Sequence, residues 1–70
     1  MKNQIKKFRK EHNMTQEQLA DIVGVSARTI ISLEKEIYNP SILLAYKIAC
    51  VFHTTIEELY FLKESINYDI

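Results

Sequence analysis

The chain has 70 residues, of which 47% are hydrophobic and 26% charged, with one glycine, one proline, one cysteine and a formal charge of zero. That length allows one small domain near the lower limit for a single core, and so scarce a supply of glycine and proline argues against disorder and against a turn-rich all-β fold. A single cysteine excludes an internal disulfide, no Cys/His set stands at metal-ligand spacing, and no apolar run approaches the ~20 residues of a membrane span or follows the basic N-terminus as a signal-peptide core, so a soluble cytoplasmic chain is expected.

The pattern along the chain predicts five short helices. The first runs from about Gln4 to His12, with Ile5 and Phe8 at helical spacing, and Asn13 stops it. Thr15 is an N-cap that forms a capping box with Gln18, which opens a second helix from Gln16 to about Val23 with Leu19, Ala20 and Val23 on its apolar face. Gly24 closes that helix in the left-handed region, and Ser26 caps a third from Ala27 to about Lys35, so the pair is joined at an angle by a turn of about three residues. Ile30 and Leu33 of the third helix face inward, while Arg28, Ser32 and Lys35 face out.

Asn39 reads as the cap and Pro40 as the first residue of a fourth helix ending near Val51, apolar almost all round and therefore the central buried element. Within it Cys50 is expected to be a buried small hydrophobe. Thr55 and Glu58 form another capping box, which opens a fifth helix from Ile56 to about Leu62. The tail "SINYDI" alternates Ile66, Tyr68 and Ile70, the pattern of a short C-terminal strand that only a pairing partner would stabilise. The division expected is a helix-turn-helix domain over residues 1–64, with the motif at 16–35, and a tail over 65–70 that serves as a dimer strand.

The functional constellation is "QEQLADIVGVSARTIISLEK", residues 16–35. A helix pair that projects the start of its second member into a major groove needs a small residue at the crossing, a glycine in the turn and branched apolar anchors, and Ala20, Gly24, Val25 and Ile30 supply them. Charge is unevenly placed: residues 1–35 hold seven basic and four acidic groups, residues 36–70 two and five. That makes the N-terminal half the side suited to a polyanion.

Jointly, "IKKFRKEHNMTQEQLADIVGVS", "TIISLEK", "YNPSILLAYKIACVF" and "TTIEELYFL" resemble the phage-repressor and Cro type of helix-turn-helix regulator, the XRE family, in its compact single-domain form. The resemblance spans about Ile5 to Leu62 and implies an all-α, five-helix, lambda-repressor-like DNA-binding domain. It places Ser26, Ala27, Arg28 and Ile31 at the base edges, with Arg28 suited to bidentate pairing with guanine. Gln16, Thr29, Lys35, Tyr38 and Asn39 match positions that reach the DNA backbone, Gln16 and Asn39 from helix N-termini. Arg9 and Glu34 match an ion pair that orients the recognition helix. Several positions depart from the family pattern: Ala27 and Arg28 stand where arginine and glutamine or a similar polar pair is usual, Ile31 where a small polar residue is frequent, Glu36 where a glycine is common, Ile37 where a lysine is, and His53 where a glycine or asparagine is frequent.

The function implied is a sequence-specific double-stranded DNA-binding regulator, a repressor acting as a homodimer on a pseudo-palindromic operator. Its dimer surface is assigned to Ile56, Leu59, Tyr60, Phe61, Ile66 and Tyr68, apolar residues in excess of what so small a core holds. Glu36, Ile37 and Ile31 motivate a second reading, a protein-interaction or antitoxin-like module that kept the fold. No nucleophile with a base is present, so no enzymatic activity is expected, and no cofactor, metal, membrane or small-molecule site is indicated.

Overall fold

The structure is a computed structural model that describes residues 2–62. Five α-helices follow in order: α1 (Ile5–Glu11), α2 (Gln16–Val23), α3 (Ala27–Glu34), α4 (Ile42–Val51) and α5 (Ile56–Leu59). No strand occurs among the described residues, and the strand expected of the tail, with Ile66 and Tyr68, lies outside them.

Capping chemistry sets the helix starts. The Thr15 side chain accepts from the Gln18 N–H at 3.0 Å, while Gln18 Oε1 accepts from the Thr15 N–H at 2.8 Å, a complete capping box. Ser26, Ser41 and Thr55 accept in the same way from Thr29, Leu44 and Glu58. The start of α4 corrects the sequence reading. Ser41, not Asn39, is the cap; its hydroxyl sits 3.1 Å from the Leu44 N–H, and Pro40 precedes the cap instead of opening the helix.

The five helices share one way of stopping. A residue with positive φ follows each of them: Asn13 (53°), Gly24 (79°), Glu36 (66°), His53 (55°) and Phe61 (54°). At four of them a backbone N–H returns to a carbonyl five residues earlier: Met14 to Arg9, Val25 to Ala20, Ile37 to Ser32 and Thr54 to Ala49. This is the Schellman closure, which satisfies carbonyls that the helix end leaves without a partner. At Gly24 a Cβ would meet nothing within 4 Å, so glycine serves the backbone conformation there and not a close approach.

The core joins Ile5, Leu19, Ala20, Val23, Ile30, Leu33, Ile48, Ala49, Phe52, Leu59 and Tyr60, so every helix contributes. Phe8 stacks on Phe52 at 5.8 Å between centroids, and His12 tilts against the same ring while its Nδ1 lies 2.8 Å from the Phe8 carbonyl at the end of α1. The N-terminal segment ties the ends of the fold together. Asn3 Nδ2 donates to the Leu33 carbonyl at the end of α3, and the Gln4 backbone N–H and side-chain amide donate to the carbonyls of Leu59 and Glu58.

Helix α4 is not buried all round as its composition suggested. Its main neighbours are α2 and α5. Leu44, Ala45, Ile48 and Ala49 face them, whereas Ile42, Leu43, Tyr46 and Cys50 are exposed. Cys50 is therefore a surface thiol, and its hydrogen bond with Tyr46, one turn away, raises that phenol above its ordinary pKa. Helix α5 also ends earlier than its pattern implied, because Phe61 takes the left-handed conformation.

Candidate nucleic-acid interface

Helices α2 and α3 pack mainly on each other, joined by Gly24, Val25 and Ser26. Ala20 is buried at the crossing, while Val25 and Ala27 lie half-buried against the core. Ile30 and Leu33 are fully buried, which fixes the rotation of α3 about its axis. Arg28 and Lys35 are thereby exposed on the opposite face with Ser32, half-buried, one turn beyond Arg28. Ser32 belongs to this outward row and was not among the expected contact residues; the signal for it was its i+4 spacing from Arg28.

A charged node holds this row in place. Arg9 Nε donates to Glu34 Oε2 at 2.7 Å, its Nη2 donates to Oε1 at 3.2 Å, and its Nη1 donates to the Met14 carbonyl at 2.8 Å. Gln16 Nε2 also donates to Glu34 Oε1, at 3.1 Å. One carboxylate near the end of α3 thus accepts from α1 and from the first residue of α2. Both members of the ion pair are nearly hidden from solvent, where a bidentate guanidinium–carboxylate pair holds a fixed geometry. The expected Arg9–Glu34 pair is present, buried and not solvated. The Gln16 side-chain amide is engaged by the same carboxylate.

The other expected residues fall into groups. Ser26 is exposed, with its hydroxyl 3.2 Å from that of Thr29 and 3.3 Å from the Thr29 N–H. Ile31 and Thr29 are half-buried on the flanks of α3. Tyr38 and Asn39 are exposed in the segment after α3; Asn39 precedes the α4 cap and so does not stand at a helix N-terminus. Lys6 and Lys10, one turn apart and exposed on α1, border a shallow depression shared with Asn13, Thr15 and Gln16. This cationic rim beside the start of α2 was missed in the sequence, although the spacing of the two lysines marks one helix face.

Of the residues assigned to a dimer surface, Leu59 and Tyr60 are buried in the core of the single chain, whereas Ile56 and Phe61 are half-buried. The Tyr60 hydroxyl has no hydrogen-bond partner among the described residues, and burial pushes its pKa up to about 12. Among the described residues no group of three or more His, Cys, Asp or Glu side chains is placed to hold a metal, and no helix is long and apolar enough to cross a membrane.

Comparison with known proteins agrees with this geometry. Residues 5–59 match the helix-turn-helix family. An "Uncharacterized HTH-type transcriptional regulator" of Archaeoglobus fulgidus is 55% identical over 64 residues, covering 91% of this chain and 90% of the relative. A protein of the same description from Methanocaldococcus jannaschii is 52% identical over 60 residues, covering 86% of this chain and 91% of its own. The solved SinR protein/SinI protein complex contains a chain that superposes with a TM-score of 0.79 at 31% identity, covering 96% of this chain and 68% of that one.

Proposed function

Given that the chain belongs to the helix-turn-helix family of DNA-binding transcriptional regulators, of the XRE type and not an enzyme family, we propose that it is a repressor that binds a pseudo-palindromic operator as a homodimer. In this reading Arg28 pairs with guanine, Ser26 and Ser32 reach neighbouring base edges, and Ala27 and Ile31 offer apolar contact to thymine methyls. Lys35, Thr29, Tyr38, Asn39 and the backbone N–H of Gln16 hold phosphates, joined by Lys6 and Lys10.

The observation that carries the reading is the Glu34 carboxylate, which accepts from both Arg9 and Gln16 while Arg28 stays exposed. Base readout requires a rigidly aimed helix, and a buried node linking three helices supplies that rigidity without occupying the outward row. With no net charge, the domain depends on local positive groups, so its non-specific affinity is low and its salt dependence modest. Selection from a random duplex pool tests the proposal. A two-fold symmetric motif with half-site centres ~34 Å apart is expected; enrichment of no sequence would reject DNA readout and favour a protein-interaction module.

A further inference from the structure

The Asn3 side chain joins the start of α1 to the end of α3. Its Nδ2 donates to the Leu33 carbonyl at 2.8 Å, and its Oδ1 accepts from the N–H of Ile5, the first residue of α1, at 3.1 Å. A carbonyl only accepts and a backbone N–H only donates, so both ends of the amide are satisfied in one orientation. The Leu33 carbonyl also accepts from the Glu36 N–H at 3.0 Å, and Asn3 takes its second lone pair. The next residue is Glu34, which Arg9 of α1 grips. Two consecutive residues at the end of α3 are thus held from the α1 side, Leu33 by its main chain and Glu34 by its side chain.

These two holds do different things. A flexible side chain separates the Glu34 carboxylate from its backbone, so the ion pair tolerates some movement of the helix, whereas Asn3 grips the main chain itself. Burial of Ile30 and Leu33 decides which face of α3 turns inward, but hydrophobic contact is non-directional and restrains tilt less than a hydrogen bond to the backbone does. Asn3 is in turn fixed from the other side. The adjacent Gln4 donates from its backbone N–H to the Leu59 carbonyl at 2.8 Å and from its amide to the Glu58 carbonyl at 2.7 Å, and the Lys2 ammonium lies 5.7 Å from the centre of the Phe61 ring.

We propose that Asn3 is a positioning residue for base readout, setting the tilt of α3 and thereby the aim of Arg28 without touching DNA. The inference rests on the DNA reading of the proposed function and adds to it a specificity determinant outside the outward row. The lever is short but sufficient. Arg28 precedes Leu33 by about 7.5 Å of helix rise, so a tilt of about 10° pivoting at Leu33 moves the Arg28 backbone by roughly 1 Å. A productive side-chain constellation tolerates only ~0.5 Å. Bidentate pairing with a guanine edge is lost by such a shift, while contacts to phosphate, which carry no sequence information, largely survive it. Loss of the Asn3 bond therefore falls on discrimination more than on affinity.

Fluorescence anisotropy of the full chain tests this on the selected operator and on the same duplex exchanged at the base pair whose discrimination Arg28→Ala abolishes. Asn3→Ser keeps an acceptor for the Ile5 N–H but is too short to reach Leu33. Asn3→Asp keeps acceptor and length but replaces the donor with a carboxylate, and its negative charge suits the start of a helix, which secures a folded variant by circular dichroism. Each variant is expected to lower the ratio of the two affinities roughly 3- to 10-fold, a part of what a bidentate arginine supplies. A smaller folded fraction or an added negative charge scales both affinities alike, so a merely structural role leaves the ratio unmoved. A wild-type ratio in either folded variant would overturn the proposal. The two readings fail separately: a wild type that discriminates between no duplexes rejects DNA readout itself, whereas a discriminating wild type with unmoved variants rejects only the role of Asn3.

Discussion

Arg9 and Glu34 form a bidentate pair, with Nε to Oε2 at 2.7 Å, and both side chains are almost withdrawn from water. An exposed pair at this spacing contributes little, but a nearly buried one punishes the loss of a single partner, because the remaining charge keeps its desolvation cost without its compensation. Glu34→Ala is expected to destabilise the fold by about 3–5 kcal/mol in urea unfolding. The double replacement Arg9→Met with Glu34→Leu is expected to recover most of that loss, and equal stability of single and double variants would show that the charge is not what matters.

Arg28 is exposed and takes no part in the Arg9–Glu34–Gln16 hydrogen bonds. Arg28→Ala should leave the unfolding free energy within about 0.5 kcal/mol of the wild type. Affinity for the selected operator should fall by about 1–3 kcal/mol and discrimination at one base pair should relax, as measured by fluorescence anisotropy on matched and mutated duplexes.

Lys6 and Lys10 differ from Arg28 in what their loss should change. Replacing both with alanine is expected to weaken binding to all duplexes alike and to flatten the plot of log affinity against log salt by about 0.9 for each phosphate contact removed. An unchanged slope would remove α1 from the DNA-facing surface.

Glu36 occupies the left-handed region at φ 66°. A side chain there costs about 1–2 kcal/mol, and a flexible glycine returns part of that to the unfolded state, so Glu36→Gly is expected to stabilise by roughly 0.5–1 kcal/mol. Paired with Ile37→Lys, it should also tighten binding to random DNA by removing a negative charge and adding a positive one beside the reading helix. Glu36→Gln separates charge from backbone strain, since it neutralises the side chain and keeps the left-handed conformation. Unaltered random-sequence affinity in the double variant would mean that this turn does not face phosphate.

Tyr60 predicts an alkaline limb. Its phenol is neutral and buried, with a pKa of about 12 against an ordinary 10.0. Between those values the unfolded chain gives up a proton that the folded chain keeps, so the stability present below pH 10 is lost progressively as pH rises toward 12. Tyr60→Phe should weaken this limb in thermal melts across that range. At neutral pH it should cost nothing or gain about 1 kcal/mol, since the hydroxyl it removes has no partner.

The helix starts were legible because a cap is a local event. Thr15, Ser26 and Thr55 each lie three residues before the N–H they accept from, and that spacing is written in the chain. Pro40 misled for the same reason. Proline at a first helical position is a sound local signal, but the adjacent Ser41 offered a better acceptor, and the two could be ranked only in three dimensions. The glycine expected at the end of α2 takes the left-handed conformation; at the four other helix ends, Asn13, Glu36, His53 and Phe61 adopt it without being glycine.

The sequence by itself determined the five helices, the inward residues of α2 and α3, and the outward position of Arg28, because helical periodicity and capping depend on neighbours within four residues. The tertiary structure decided which surfaces remained for a partner. Helix α4 is apolar almost all round in sequence, but packing, chiefly on α2 and α5, covers only one of its faces, which leaves Ile42, Leu43, Tyr46 and Cys50 in solvent and draws Leu59 and Tyr60 inward. It also decided that Gln16 meets Glu34. Burial is set by how many neighbours pack around an element, and that number belongs to the assembled fold and not to any stretch of the chain.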